Sequence, residues 1–332
     1  MNATAIRRYA PGRWWLDGVT PGTRRVAYAL MAAAAILLTG AVLHPGFASW
    51  TSMRAILVVA SFIGFVAAGQ MLVVLIGGID LSVPWVINGA AIVVTTVSQG
   101  RDARAVPVVL LALAMGATVG LVNGMGVAWL AVPAVVMTLG MNGVLQGLSL
   151  GLSKGLTCGS CSSYAPEPLR RLVVGRVAGI PTELFVWLGV GLLLTAVLTL
   201  TTFGRRVYAV GNNPRAAYLS GVGVRAVTVA LYALSGVFAA LAGIALVAFG
   251  GQASLGLGDP YLFESIAAVV VGGVSILGGR GNYAGVAAGS VTLVALVTLL
   301  QAEQVPEYGR SIIYGLVILA ILFTYGRERS VD

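Results

Sequence analysis

The chain has 332 residues, of which 58% are hydrophobic and only 9% are charged, and its formal net charge is +9. A water-soluble domain carries charge on about a quarter of its residues, so this composition excludes an ordinary soluble enzyme. Because each crossing of a bilayer needs ~20 apolar residues, the composition predicts an all-α polytopic membrane protein with about ten transmembrane helices.

Several kinds of catalytic site are excluded by the scarcity of the residues they need. His44 is the only histidine, and Cys158 and Cys161 are the only cysteines, which leaves almost no material for a zinc site or a histidine-based triad. A P-loop requires lysine followed by serine or threonine, yet the only lysine, Lys154, is followed by Gly155. We therefore predict that the chain is not an enzyme and that any ATP it depends on binds to another polypeptide.

The predicted crossings follow one another along the chain with short polar connections. The first comes after Arg24 and Arg25, and its length and long basic leader favour an uncleaved helix over a signal peptide. Ten apolar runs cover residues 26–43, 55–78, 83–98, 106–130, 134–152, 185–203, 226–249, 265–278, 284–300 and 311–325. The runs at 83–98 and 265–278 are short and are interrupted by glycine or proline, which predicts broken or re-entrant helices there.

Ten crossings put both termini on one side of the membrane, and the basic residues indicate which side that is. With the N-terminus inside, the inner segments carry a net charge of about +8 and the outer segments about +1. We predict cytoplasmic segments at 1–25 and 326–332 and a single transmembrane domain at 26–325. The positive charge is explained by this orientation and by contact with anionic membrane lipids, and it predicts no binding to nucleic acid.

The two longest polar segments are predicted on opposite sides, an outer loop at about 154–184 and an inner loop at about 204–225. The outer loop contains Cys158 and Cys161, for which a local disulfide is favoured over free thiols, and catalytic redox work is disfavoured. The same loop contains Arg170, Arg171 and Arg176, which are suited to contact acidic residues on a soluble protein.

The inner loop carries the signals of a short helix at about 214–220. Asn213 suits the N-cap, Pro214 the first helical position and Gly221 the position after the helix. Its small residues, Ala216 and Ala217, stand beside Tyr218 and Leu219, a combination that fits the cleft of a partner protein. The alternative is a helix that only caps its two neighbours at the membrane surface, and on these residues alone both interpretations stay open.

A second polar feature follows the second apolar run. Gly77 and Gly78 loosen the end of that helix, and Asp80 together with Ser82 is suited to cap the helix that follows. A solute or proton site at Asp80 is the alternative, and it is less favoured because the predicted topology puts Asp80 near the inner face.

Four blocks of this sequence, in order, resemble one family. Residues 77–83 read GGIDLSV, Asn123-Gly124 is followed by PAVVMTLGM at 133–141, the inner loop contains GRRVYAVGNNPRAAYLSG at 204–221, and ESIAAVVVGG at 264–273 continues to GGRG at 278–281. These blocks resemble the permease subunits of ATP-binding-cassette importers, in the ribose, xylose and galactose branch that also includes autoinducer-2 permeases. Two departures are Pro84, where members usually carry glycine, and the TCGSC string at 157–161, which is not a family feature.

The resemblance implies the fold of a type II importer permease that works by alternating access in the bacterial cytoplasmic (inner) membrane. It also implies three partners: ATPase subunits that bind ATP and magnesium, a periplasmic or surface sugar-binding protein, and a second permease, either a copy of this chain or a similar chain. No cofactor is then expected on this chain. The residues that the resemblance assigns to ATPase coupling are Asn212, Asn213, Pro214, Arg215, Ala216, Ala217, Tyr218, Leu219, Ser220 and Gly221.

Polar side chains within the apolar runs are candidates for the solute pathway. Sugars are uncharged, so an uncharged polar lining suits their passage, and the candidates are Gln70, Asn88, Asn123 and Asn142. The alternative for each amide is a hydrogen bond between helices. Glu264 is predicted at the outer edge of its helix, where it could face the delivering protein.

Three other functions are weighed against an ATP-driven sugar importer. A secondary transporter driven by protons through Asp80 and Glu264 would need no ATPase. A permease for branched-chain amino acids is a nearer relative, with zwitterionic substrates. A membrane-embedded enzyme is disfavoured by the shortage of histidine, lysine and clustered acids. The sequence does not identify the sugar.

Overall fold

The computed structural model of the chain describes residues 21–153, 164–306, 308–310, 312, 313, 315 and 316. The predicted disulfide partners Cys158 and Cys161 and the predicted C-terminal tail at 326–332 lie outside the described residues. So do most of the predicted N-terminal tail at 1–25, most of the last apolar run at 311–325 and part of the outer loop.

The described residues are almost entirely helical. The helices are α1 (Pro21–Leu43), α2 (Trp50–Val74), α3 (Val83–Ser98), α4 (Ala105–Ala128), α5 (Ala134–Ser153), α6 (Glu167–Val174), α7 (Thr182–Leu200), α8 (Thr202–Asn212), α9 (Pro214–Leu219), α10 (Val224–Gly250), α11 (Tyr261–Val271) and α12 (Tyr283–Ala302). A 3-10 turn at Asp102–Arg104 precedes α4, and the strands Arg176–Val177 (β1) and Ile180–Pro181 (β2) form a small antiparallel hairpin between α6 and α7.

Within the described part of the chain, seven helices are long and apolar enough to cross a membrane, namely α1, α2, α4, α5, α7, α10 and α12. Helices α3 and α11 have only 16 and 11 residues, in agreement with the predicted broken segments. Both predicted bounds of the second segment were wrong, because α11 begins at Tyr261 rather than at 265 and ends at Val271 rather than at 278. Glycines at 273, 278, 279 and 281 have positive φ angles, which turn the backbone away from the helix.

The helices differ strongly in how much of each is buried by its neighbours. In α2, 89% of the span is buried, against 6% of the α5 span. Helix α10 lies against α2, α3 and α4. Its backbone comes very close to that of α4: a Cβ added to Gly116 would overlap the carbonyl oxygen of Gly236, and one added to Gly120 would overlap that of Tyr232. Small residues allow this kind of backbone contact in membrane helices.

The connections between helices gather at two opposite ends of the bundle. At the end that contains α6, Ser98 Oγ donates to Tyr164 O (3.2 Å) and Ala165 N donates to Gly251 O (2.9 Å). At the end that contains α9, Gly279 N donates to Leu75 O (2.8 Å). We call these the α6 end and the α9 end. Loops that were predicted on the same side of the membrane therefore contact one another, which agrees with the predicted alternation of the crossings.

Candidate functional site

The predicted short helix of the inner loop is confirmed as α9. Asn213 Oδ1 accepts a hydrogen bond from Ala216 N (3.0 Å), Pro214 is the first helical residue, and Gly221 follows the helix with a φ angle of 81°. The helix ends at Leu219, one residue before the predicted end. These residues predict the helix well because they deal with the unpaired backbone groups at its ends: the Asn213 side chain binds a free N–H, Pro214 has no N–H to leave unpaired, and Gly221 allows the backbone to turn away.

The exposed face of α9 differs in one residue from the predicted contact surface. Tyr218 is 70% exposed and Leu219 is 78% exposed, and Ala216 is exposed beside them. Ala217 is only 5% exposed and packs into the hydrophobic core of this chain. The prediction that Ala217 enters the cleft of a partner is therefore corrected, because Ala217 is the side chain that seats α9 on its own subunit.

Helix α8, which leads into α9, was predicted only as part of a loop. Its buried positions are Gly204, Val207 and Val210, whereas Arg205 and Arg206 are exposed. This spacing is the sequence signal that would have identified it, since residues three apart lie on one face of a helix. The Tyr208 hydroxyl donates to Gly281 O at 2.8 Å, and burial raises its pKa further above the physiological range.

Asp80 is the centre of a buried polar cluster in the turn between α2 and α3. It is 1% exposed, and its carboxylate accepts hydrogen bonds from Ser82 N (3.0 Å), Ser82 Oγ (2.6 Å) and Ser235 Oγ (2.8 Å). Asn123 Nδ2 in turn donates to Ser82 Oγ (2.9 Å). The cluster therefore ties the start of α3 to α4 and α10.

This cluster refines what was predicted for Asp80. Ser82 is the N-cap of α3 but makes no side-chain capping hydrogen bond, because its hydroxyl and its N–H both donate to Asp80. The two side chains therefore position the start of α3 without capping it in the predicted way. Asp80 was predicted near the inner face of the membrane, where ionisation costs little. The side chain is nevertheless buried within the subunit, because α4 and α10 close over the turn, so its ionisation is not cheap.

The amides predicted for a solute pathway are mostly enclosed within the subunit. Gln70, Asn88 and Asn123 are fully buried, and Asn142 is half-buried. Asn88 Oδ1 accepts from Gly258 N at 3.1 Å, which joins α3 to the loop before α11. For Asn88 and Asn123 this geometry favours the alternative that was left open, hydrogen bonding between elements of the fold.

Glu264 lies in the first turn of α11 and borders a cleft of about 280 Å³ between α2, α11 and α12. The other polar lining residues are Ser52, Thr298 and Gln301, and the remaining walls are aliphatic or alanine. Glu264 therefore lines a cleft between helices, at the first turn of α11.

Helix α7 carries two buried polar contacts that were not predicted from the sequence. Glu183, in the first turn of α7, is 2% exposed and lies beside Ser61 of α2. One turn later, Trp187 Nε1 donates to Tyr283 Oη (2.8 Å), which donates to Gly64 O (3.1 Å). The available signal was an acidic residue directly before a long apolar run, since acids within membrane helices are rare.

Two surfaces of the subunit are exposed and distinctive. At the α6 end, Arg170, Arg171 and Arg176 are exposed while Leu169 and Val173 anchor α6 in the core.

The second surface is a row of glycines on α5. A Cβ added to any of them would have no heavy atom of the described chain within 4 Å, and they are Gly140, Gly143, Gly147 and Gly151. They share one face of the helix, while Thr138 on the opposite face is buried and accepts from Leu81 N (3.0 Å).

Comparison with known proteins identifies relatives along nearly the whole chain. A family model described as branched-chain amino acid transport system / permease component matches residues 52–322. The ribose import permease protein RbsC of Escherichia coli (strain K12) is 33% identical over 323 residues, which cover 97% of this chain and 98% of the relative. The autoinducer 2 import system permease protein LsrC of Salmonella typhimurium is 32% identical over 306 residues, 92% of this chain and 86% of that protein. LsrC of Photorhabdus luminescens is 33% identical over 270 residues, 81% of this chain and 80% of the relative.

Proposed function

The chain belongs to the importer permease family whose model it matches, and from that premise we propose that it is the membrane subunit of an ATP-driven importer of a monosaccharide. The observation that carries the proposal is the extent of the similarity to the ribose import permease, which covers 97% of this chain. The whole helical subunit, rather than one motif, is therefore shared with that relative.

The solute we propose is an uncharged polar sugar of the ribose class. The family description refers to branched-chain amino acids, but the relatives with high coverage are named for ribose and autoinducer 2 import. Leucine-like substrates are zwitterions that need partners for two charges, whereas a sugar needs only hydrogen-bonding groups. The names of the relatives favour a substrate of the second kind.

We propose that the ATPase subunits bind to the exposed face of α9 and hold the ATP and magnesium. Tyr218 and Leu219 are large side chains, 70% and 78% exposed, on a capped helix outside the apolar crossings. Such side chains are costly to leave in water and typically become buried in a partner's cleft. Arg205 and Arg206 of α8 and Arg215 of α9 are exposed, which supports a cytoplasmic location for the α9 end under the positive-inside rule.

At the opposite end we propose contact with a soluble sugar-binding protein outside the cytoplasmic membrane. The exposed arginines of α6 and β1, Arg170, Arg171 and Arg176, provide a positive surface there. Arg171 already pairs with Glu167 at 3.1 Å, an exposed ion pair that contributes little and can exchange partners.

We propose that a second permease copy packs on the glycine face of α5. Glycine lowers helix stability by about 1 kcal/mol relative to alanine, so four glycines on one lipid-facing stripe need a compensating contact. Close packing of another helix supplies such a contact in membranes. The second copy also gives the paired ATPase subunits two α9 helices to bind.

The proposed function is tested by reconstitution in liposomes. The permease, its ATP-binding subunit and its solute-binding protein should take up radiolabelled ribose only when ATP and magnesium are present on the ATPase side. Excess ribose should compete with uptake, and excess leucine should not. Uptake by the permease alone under a proton gradient would instead establish a secondary transporter, and ATP-dependent uptake of radiolabelled leucine but not of radiolabelled ribose would establish an amino acid permease.

A further inference from the structure

Gly211, in the last turn of α8, is in backbone contact with two distant parts of the chain. A Cβ at this position would overlap the carbonyl oxygen of Leu75 and lie 2.6 Å from Gly279 N. Leu75 caps the end of α2, and Gly279 belongs to the turn between α11 and α12. Because Gly279 N donates to Leu75 O at 2.8 Å, the three segments meet at one point.

A second contact on the same face of α8 strengthens this junction. Tyr208, three residues before Gly211, donates from its hydroxyl to Gly281 O at 2.8 Å. Asn212 also approaches the turn, since a Cβ on Gly279 would overlap its side-chain oxygen. Gly279 has a φ angle of 73°, so both its space and its backbone conformation require glycine.

The junction is connected to α9 by a single residue. Asn213 both ends α8 and caps α9, with its N–H bonded to Ala209 O (3.1 Å) and its side chain bonded to Ala216 N (3.0 Å). A connection of this kind leaves little freedom between the two helices. A displacement of α9 therefore moves Gly211 and Tyr208 with it.

Beyond the junction, each turn leads into the helical bundle. Five residues after Leu75, Asp80 holds the start of α3 to α10 through Ser235 at 2.8 Å. After Gly281, Asn282 caps α12 by accepting from Gly285 N at 2.8 Å. Two breaks in the bundle, at 75–82 and 272–282, are thus attached to one amphipathic helix.

From this geometry we infer that Gly211 and Tyr208 are positioning residues that transmit movement of α9 to the two glycine-rich turns at 75–82 and 272–282. The inference rests on the proposed function, because it assumes that an ATPase moves α9. It assigns to α8, which precedes the exposed face of α9 proposed for docking, the role of connecting that face to the helical bundle.

The experiment measures the ratio of ribose transported to ATP hydrolysed in the reconstituted importer. Gly211→Ala introduces a side chain where the three segments touch, and Tyr208→Phe removes one hydrogen bond without adding volume. We expect both variants to insert and to co-purify with the ATPase. The transport ratio should fall by about tenfold for Gly211→Ala and about fivefold for Tyr208→Phe, while hydrolysis continues. Gly223→Ala is the matched control, since its Cβ would meet only Ala226 Cβ, at 3.8 Å.

The outcomes separate this inference from the proposed function. If the wild-type importer shows no ATP-dependent uptake, the proposed function fails. If the wild type transports and both variants keep its transport ratio, the inference that α8 transmits movement of α9 to the two turns is overturned. Loss of ATPase binding in Tyr208→Phe would also overturn it, because α8 would then be needed for docking. Should Gly211→Ala fail to insert, the result for Tyr208→Phe decides.

Discussion

At the scale of single residues, Asp80 holds together parts of the chain that are far apart in sequence. Its carboxylate accepts three hydrogen bonds, two from Ser82 and one from Ser235, 155 positions away. A buried carboxylate is stable only when such donors surround it. The residue therefore contributes to stability through the donors that it satisfies.

Replacing this carboxylate should destabilise the subunit measurably. Asp80→Ala leaves three buried donor groups without their acceptor, and we expect a loss of about 3 kcal/mol in the free energy of unfolding. Ser235→Ala removes one bond and should cost about 1 kcal/mol. Thermal unfolding in detergent measures both, with Asp259→Ala as the exposed control. An Asp80→Ala protein with unchanged stability and abolished transport would point to a solute or proton site instead.

At the scale of secondary-structure elements, α9 combines an anchored face with an exposed one. Ala217 packs into the core, whereas Ala216, its immediate neighbour, is exposed. Successive residues on a helix are rotated by about 100°, so adjacent alanines have different surroundings. The two alanines thus test docking and folding separately.

An arginine at each position should give different results. Ala216→Arg should reduce co-purification with the ATPase by about tenfold or more and leave membrane insertion intact, because the added charge and volume disrupt the proposed contact. Ala217→Arg should instead loosen α9 from the core and lower the unfolding temperature. Leu172→Arg, at an exposed position of α6, is the control for an added charge at the opposite end of the bundle. Normal co-purification of Ala216→Arg would refute docking on this face.

Whether a feature could be predicted depends on how far apart in the sequence the interacting residues lie. Helix α9 and the short α3 and α11 could be predicted because caps, prolines and glycines act within a few residues. The burial of Ala217 and Asp80 could not, since it results from α4, α10 and core residues that approach from distant parts of the sequence. Glu183 had a sequence signal, an acid directly before a long apolar run, but only packing shows that it faces the interior.

At the scale of the whole molecule, burial is strongly uneven among the crossings. The α2 span is 89% buried, and the α5 span is 6% buried. A single subunit therefore leaves α5 with one attached side, which contacts α3 and α4, and one glycine-rich side without a neighbour in the described chain.

Enlarging one glycine of α5 should separate the proposed pair of subunits. Gly147→Leu places a bulky side chain on the glycine face, and we expect the purified permease to change from dimer to monomer by light scattering. Gly189→Leu is a matched control on α7, since a Cβ there also has no neighbour within 4 Å in the described residues. A Gly147→Leu protein that stays dimeric would exclude this face as the interface.

The short helices α3 and α11 also determine how thick the barrier to water is inside the subunit. At 1.5 Å per residue, the 11 residues of α11 extend only about 17 Å, well below the ~30 Å of hydrocarbon in a bilayer. The backbone turns next to these helices therefore lie within the depth of a bilayer. A barrier to ions built from α3, α11 and these turns is accordingly thinner than one built from full-length crossings.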